Sequence, residues 1–419
     1  RKNNDMRLIL ILFIVFNFNS CKKEKNTEEV TLKDDVFALA SDSFNGRQTG
    51  TEGELQAADY IEGRFGQIGL TPKGTDGNFT QTFTFKPSNN PHEQAEYTQR
   101  NTDSTLTGTN VIGYMDNSAE HTVIVGAHYD HLGMGGEGSL FREGRAIHNG
   151  ADDNASGVAV LLKLASELQK KEFKEKAKSN YLFIAFSGEE MGLLGSNYFV
   201  KNPTINTKKA SYMINLDMVG RLNEENTLAV HGVGTSPIFK QTITANNGAG
   251  FVLAEYDSGI GPSDHTSFYL SDIPVLFFFT GQHEDYHKPS DDAEKLNYEG
   301  MEKITGYIKS IITDLDDNGK LPFRKTKNDS EEVPRFKVGL GVVPDYLFTG
   351  EGMRIDGVSE DKPAQRAGIK KGDIVIKLGE IETPDMMQYM KALATFEEGQ
   401  TTTVTLLRDG APIQIEVTF

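Results

Sequence analysis

A single cysteine, Cys21, among 419 residues excludes a disulfide framework. Basic residues are in deficit: 43 Lys and Arg stand against 60 Asp and Glu, a formal net charge of −17. There is no basic stretch to neutralise phosphates, which argues against nucleic acid as a partner. The apolar run at residues 8–16 is too short to span a bilayer comfortably. What is there is 37% hydrophobic residues, ample for a large core and a length that suggests two domains.

Arg1, Lys2 and Arg7 precede the apolar run, and Asn17-Phe18-Asn19-Ser20-Cys21 follows it. A basic start, a short apolar stretch and a small residue before the cut site describe a secretory signal over residues 1–20. The lone Cys directly after it resembles a bacterial lipoprotein signal. Phe18 and Asn19 depart from that pattern, which has Leu and a small residue there. The resemblance implies a lipid anchor at Cys21, a polar tether over 21–33, and export to the periplasm or the cell surface.

Beyond the tether, Ala57, Ala58, Ile61, Phe65 and Ile68 stand at helical spacing. They predict one or two helices across 34–70, with a glycine-punctuated turn at 44–53. Residues 86–108 are polar and read as a surface excursion. Strand, loop and helix then alternate, with apolar strands at 123–127, 181–186, 212–216 and 274–279. Val158, Leu161, Leu162, Ala165 and Leu168 mark a helix, residues 193–200 a short one, and Met301 to Leu315 a closing one. Near-continuous apolar strands alternating with helices predict an α/β fold whose mainly parallel sheet carries helices on both faces. Asp314, Asp316, Asn318 and Gly319 begin like a calcium loop, but the twelfth position is Lys325 where Glu is needed. That stretch reads as a helix end capped by Gly319, with a charged linker over 319–334.

The chemistry-bearing residues fall just past the strands. His128 and Asp130 follow the first, Glu189 and Glu190 the second, and Asp217 the third. His287 lies in the loop after the fourth, and Asp152 and Asp153 precede the Val158 helix. Loops at the carboxyl ends of parallel strands converge on one crevice. Two adjacent glutamates there would repel each other at a cost of several kcal/mol unless a cation sits between them. Imidazole with carboxylate suits zinc, with cobalt or manganese as substitutes. There are more candidates than one catalytic zinc uses, so two ions sharing a carboxylate fit better.

These motifs resemble the di-zinc aminopeptidase family, which also contains glutamate carboxypeptidases, glutaminyl cyclases and non-catalytic transferrin receptors. The resemblance rests on Gly126-Ala127-His128-Tyr129-Asp130, Gly150-Ala151-Asp152-Asp153-Asn154-Ala155-Ser156-Gly157, Ser187-Gly188-Glu189-Glu190, Asn215-Leu216-Asp217-Met218, Ser263-Asp264-His265 and Tyr286-His287. It covers residues 34–318, the expected peptidase domain. It implies two zinc ions, with Asp153 as the bridging ligand followed by a cis peptide. Glu190 and His287 would complete one ion, and His128 and Asp217 the other. Glu189 would be the general base toward a zinc-activated water, and Asp130 the carboxylate that orients His128. Ser263, Asp264 and His265 would support the site, and His131 and His148 would line it. Ile260 stands where relatives carry an oxyanion-stabilising Tyr; Tyr256 or a backbone N–H are the substitutes on offer. Arg142, Arg145 and Arg221 are the only obvious cations near these loops, too few for a carboxypeptidase, which must hold a terminal carboxylate. The implied activity is therefore release of N-terminal residues from peptides. A non-catalytic binding protein on the same fold and a single-zinc glutaminyl cyclase are the alternatives. Retention of all five ligands and the base disfavours the first, and the absence of Trp the second.

Residues 335–419 read as a small β-rich domain. Val338-Gly339-Leu340-Gly341-Val342 is a glycine-flanked apolar loop, residues 384–394 are a helix, and Asp409-Gly410 turns a terminal hairpin. The whole stretch resembles a PDZ domain. That implies a partner, an extended chain end whose carboxylate meets the N–H groups of Gly339, Leu340 and Gly341, with Met387, Met390 or Leu393 shaping an apolar pocket.

Overall fold

Ten strands build the large sheet: β1 (Thr71–Pro72), β2 (Thr80–Lys86), β3 (Glu96–Tyr97), β4 (Leu106–Met115), β5 (Thr122–His128), β6 (Asn180–Phe186), β7 (Ala210–Leu216), β8 (Thr227–His231), β9 (Val252–Tyr256) and β10 (Val275–Phe279). This computed structural model describes residues 31–87, 96–136 apart from 101 and 103, 138–326, and 337–419 apart from 346, 347, 349 and 360. Cys21 and the signal-like segment lie outside the described residues. The strand order is β3-β2-β4-β6-β5-β7-β10-β8-β9, with β1 paired to β4. Strands β6, β5, β7 and β10 run parallel and form the centre. Their neighbours β4 and β8 join them antiparallel.

Alternation along the central strands feeds two cores. Val123, Val125, Tyr181, Phe183, Tyr212 and Ile214 point to one face, where the helices Gly157–Gln169 and Tyr298–Leu315 cover them. Ile124, Leu182, Ile184 and Met213 point to the other, against Phe199 and Phe268 from the helices Leu194–Lys201 and His265–Tyr269. With both faces buried, the central strands carry long apolar runs, such as Tyr181 to Phe186, which is why they read so clearly. All four end at the same edge of the sheet.

The expected surface excursion over 86–108 needs correction at its described ends. β2 closes at Lys86 and β4 opens at Leu106. Between them Tyr97 donates its hydroxyl to the Leu194 carbonyl, with its ring 6.1 Å from Phe83 and 5.5 Å from Tyr198. The first helices are Leu32–Leu39 and Glu52–Ile68. The second starts at Thr51, whose side chain accepts from Glu54 N, and stops at Gly69, where φ is +90°.

Arg47 is set in the turn between these helices at φ +48°, fully buried. Its guanidinium donates to four carbonyls: Tyr129 at 2.7 Å, Asn149 at 2.6 Å, Gly150 at 3.0 Å, and Leu39. Burial lowers its pKa to about 10, against the opposing pull of Asp130, Asp153, Asp291 and Glu190. One side chain thus ties the N-terminal helices to the loop after β5 and to the turn before the Gly157–Gln169 helix.

In the C-terminal domain the strands are β11 (Val342–Pro344), β12 (Met353–Val358), β13 (Ile374–Leu378), β14 (Ile381–Glu382), β15 (Thr401–Arg408) and β16 (Ala411–Thr418). The order is β11-β12-β13-β15-β16, so β11 lies at an edge. Asp409 and Gly410 turn the last hairpin at φ +51° and +78°, the left-handed pair that a two-residue hairpin wants. Leu340, Ile355, Val375, Leu393 and Val404 fill a separate core. Leu393 is therefore a core residue rather than a wall of a pocket, and the Met387 side chain lies outside the described residues.

Replacing Arg47 by Met strands several buried carbonyls without donors, at about 1–3 kcal/mol each. The expected outcome is a loss of about 3 kcal/mol or more of stability, read as a lower midpoint in urea unfolding. A midpoint equal to wild type would refute the clamp.

Candidate metal centre and active site

The strand ends bring their polar residues to one point. His128 ends β5, and its Nε2 lies 3.4 Å from Asp153 Oδ1 and 3.4 Å from Asp217 Oδ1. His287 Nε2 lies 3.2 Å from the other oxygen of Asp153, Oδ2, and 3.3 Å from Glu190 Oε2. Donors about 2.0–2.2 Å from a tetrahedral zinc stand about 3.3–3.5 Å from each other. Two such donor sets therefore share Asp153, one oxygen each. All five predicted ligands are in them.

The other ring nitrogens are held by main chain. His287 Nδ1 donates to the Gly138 carbonyl at 2.8 Å, and His128 Nδ1 lies 3.2 Å from the Asp130 carbonyl. That leaves each Nε2 free to face the carboxylates, the usual arrangement for a ligating imidazole. The Asp130 carboxylate is farther from His128, at 3.6 Å. Its own hydrogen bonds go to Glu189 N at 3.1 Å and Thr49 Oγ1 at 3.0 Å, so it ties the β5 loop to the β6 loop.

His131, expected only to line the site, comes closer than that. Its Nδ1 is 2.7 Å from Glu190 Oε1 and 3.9 Å from Asp153 Oδ2, so His131, Asp153 and Glu190 also form a group able to hold an ion. His148 stays structural, donating from Nδ1 to the Ala146 carbonyl at 2.9 Å and accepting from Ser139. Ser263 accepts from Asn215 at 2.8 Å, and the His265 ring stacks 4.5 Å from Phe277; neither joins a donor set.

Three residues position the loops, and sequence reasoning gave them no such role. Asn154 donates to the His128 and Leu216 carbonyls at 3.2 and 2.9 Å, and accepts from Gly157 N and Met218 N. Asp291 accepts from the N–H groups of Asp152 and Asp153 at 2.9 and 3.0 Å. Glu54, buried behind the β6 loop, accepts from Ser187 at 2.5 Å and from Thr109 N at 2.9 Å. The peptide between Asp153 and Asn154 is cis. Met218 and His287 take positive φ, +51° and +54°.

The two adjacent glutamates differ sharply. Burial raises Glu189 well above the usual carboxylate range, and Asp217, Glu190 and Asp264 push the same way against the pull of His128. Burial would raise Glu190 too, but the His287 and His131 imidazoles overcome it and hold that carboxyl at about 2. Asp264 beside them is pushed up to about 7, chiefly by burial. One glutamate is thus set up to stay ionised and the other to carry a proton.

Tyr256 and the N–H groups at positions 260 and 261, candidate substitutes for the missing Tyr, are bonded elsewhere. The N–H groups of Ile260 and Gly261 are taken by Ser258 and Thr266. The Tyr256 hydroxyl donates to the Phe348 carbonyl in the C-terminal domain at 3.0 Å.

Comparison with known proteins agrees with this arrangement. Residues 110–312 match Peptidase family M28. This part of the chain is an M28 peptidase domain. Residues 323–419 match the PDZ domain family. Aminopeptidase YwaD of Bacillus subtilis is 29% identical over 210 residues, which covers 48% of this chain and 42% of that protein. The chain spans about half the length of the curated relatives it matches. Among solved structures, the zinc aminopeptidase BSAP of Bacillus subtilis aligns with a TM-score of 0.53 at 18% identity, covering 72% of this chain and 98% of its own. A glutaminyl cyclase of Bacteroides thetaiotaomicron bound to N-acetylhistamine aligns at 0.52 and 18%, covering 68% and 96%. The M28 fold and the PDZ fold therefore stand in one chain, and the donor sets sit at the carboxyl edge of the M28 sheet.

Because Asp153 serves both donor sets, Asp153→Ala is expected to abolish binding of both ions. Asp217→Ala should lose only one. Metal content after dialysis, measured by elemental mass spectrometry, checks this; equal loss in the two variants would rule out the bridging role.

Proposed function

We propose that the chain is a metal-dependent exopeptidase, an aminopeptidase acting on peptides with a free amino end. The observation that carries this reading is the pair of donor sets joined through the two oxygens of Asp153. Two zinc ions held there would supply Lewis acidity toward the peptide carbonyl and bring the pKa of a water toward neutrality. His128, Asp153 and Asp217 would hold one; His287, Glu190 and Asp153 would hold the other.

Glu189 does the proton work. Its raised pKa suits a carboxylate that accepts a proton from the attacking water and returns it to the departing amine. Its backbone is fixed by Asp130, so the base cannot drift from the ligand next to it. The crevice is rich in carboxylates, a surface that favours an α-ammonium over a carboxylate end. Arg142 and Arg145 are exposed, and Arg221 is engaged by Asp285 and by the Lys295 carbonyl. These are the cations a carboxypeptidase would need, and each is exposed or occupied.

Glutaminyl cyclase chemistry on this fold is the weaker reading: both donor sets are complete, and the chain has no Trp to wall a cyclase pocket. A non-catalytic role is weaker still, since all five ligands and Glu189 remain. Export and a lipid anchor at Cys21 complete the proposal, on the sequence pattern of residues 1–21. The C-terminal domain takes an extended peptide end.

Glu189→Gln is expected to cut kcat by about 10²–10⁴-fold while leaving metal content unchanged. Aminoacyl substrates should be cleaved and their N-acetylated forms left intact; the reverse preference would sink the aminopeptidase reading. For the anchor, Cys21→Ser should release the protein from the membrane fraction and lower its mass by the acyl chains. An unchanged mass would end the lipidation proposal.

A further inference from the structure

The PDZ domain is in contact with the wall of the catalytic crevice. Tyr256 closes β9 and packs against the cluster of Met218, Ala229, Ala254, Phe277 and Phe279, as does Tyr286. Met218 follows the ligand Asp217, and Tyr286 precedes the ligand His287, on whose ring it stacks at 3.9 Å. Tyr256 thus belongs to the aromatic wall beside the metal ligands, and its hydroxyl is held by the Phe348 carbonyl, downstream of β11. Arg354 lies over the Phe348 ring at 4.6 Å and grips Asp345 at 2.7 Å, which fixes that end of the segment. Met390, on the helix Met386–Leu393, packs against both the PDZ core and the M28 cluster that contains Ile260 and Tyr269. The connection between the domains is anchored too: the Phe323 ring packs 5.5 Å from Tyr269 at a tilt of 50°, and Arg324 N donates to the Thr235 carbonyl.

The direction of the groove follows from its backbone. The Gly341 carbonyl accepts from Ser359 N, and Asp345 N donates to the Arg354 carbonyl. Both therefore face β12, and Val342 and Pro344 between them face the free edge. Pro344 has no N–H, so this edge offers Val342 N–H and C=O but only a carbonyl at Pro344. At the upstream end, the Leu340 and Gly341 N–H groups have no acceptor among the described residues, and Gly341 takes φ +72°. Such a turn is a nest for an anion. A peptide added antiparallel to β11, with its carboxylate at this nest, runs its amino end toward Phe348 and hence toward Tyr256 and the metal ligands.

We propose that the ligand of the PDZ groove is the carboxyl end of the peptidase's own substrate, held while the amino end of the same molecule occupies the metal site. The inference rests on the aminopeptidase reading above. Phe348 stands seven positions beyond Gly341. With a few more to pass the Tyr256 ring, roughly ten residues at about 3.3 Å each join the two ends. The favoured substrates are then short peptides of about that length with a free carboxylate, because the ladder blunted at Pro344 leaves much of the grip to the carboxylate.

The experiment uses the full chain loaded with zinc and a series of peptides from tripeptides to about fifteen residues, each with a free or an amidated carboxyl end. For peptides of about ten residues the free acid should have a KM about tenfold below that of the amide, one charge-assisted hydrogen bond's worth, at equal kcat. For tripeptides the two forms should match. Gly341→Val should erase the free-acid advantage, since its Cβ would come within 2.1 Å of Lys362 Cβ and distort the nest. Equal KM for acid and amide at every length in the unaltered chain, with turnover intact, would overturn the two-ended capture alone. Absence of turnover with every peptide and aminoacyl substrate would overturn the aminopeptidase reading, and this inference with it.

Discussion

Carboxylate repulsion governs this molecule. Asp153, Glu189, Glu190, Asp217 and Asp264 are gathered in one largely buried crevice, and their bonded cationic partners are imidazoles rather than Lys or Arg. An arrangement of that kind is costly without positive charge. The scaffold meets the cost by immobilising the loops from outside the crevice. Arg47 holds carbonyls of two loops, Asn154 those of two strands' ends, and Asp291 the N–H groups around Asp153. All three side chains are fully buried. They set the spacing of the ligands before any ion arrives, which is how a site gains precision from residues that do no chemistry.

The split between Glu189 and Glu190 follows from the same crowding. They are adjacent in sequence, yet imidazoles face only Glu190, at 2.7 and 3.3 Å. Glu189 has Asp217, Glu190 and Asp264 around it, with only the pull of His128 against them. A single step along the chain after β6 therefore separates a carboxylate held ionised by two imidazoles from one pushed toward its protonated form by burial and its acidic neighbours.

The legible part of the fold was the part buried on both sides. Strands β5, β6, β7 and β10 send apolar residues to both cores with few polar interruptions such as Ser211 and Asn215, so they stand out as runs, and the candidate ligands following them could be placed at one edge. Strands β2 and β4 were not seen because they carry Thr, Gln and Asn between their apolar residues, as in Thr80-Gln81-Thr82-Phe83. Strands β8 and β9 hold only three consecutive apolar residues each, Leu228-Ala229-Val230 and Val252-Leu253-Ala254, where β10 of the same length is apolar throughout. In the site, the five ligands sit in recognisable motifs, but the positioning residues do not. Arg47 reaches carbonyls 82 to 103 positions away, and Asp291 reaches N–H groups 138 and 139 positions away. Spacing along a chain carries no trace of such contacts. His131 was a near miss: its neighbours were visible, but its ring angle toward Glu190 depends on how the β5 loop turns.

Pro344 has a meaning beyond peptide capture. An edge strand that exposes alternating N–H and C=O groups is an invitation to pair with the same strand of another molecule. β11 is such an edge, and it must stay open if a chain end is to enter. The proline removes one donor from the row without closing the groove. A short visitor anchored by its carboxylate loses little, while a second copy seeking a continuous ladder meets a gap. The same residue thus keeps a sticky edge from becoming a route to self-association, at the cost of a weaker grip on legitimate guests.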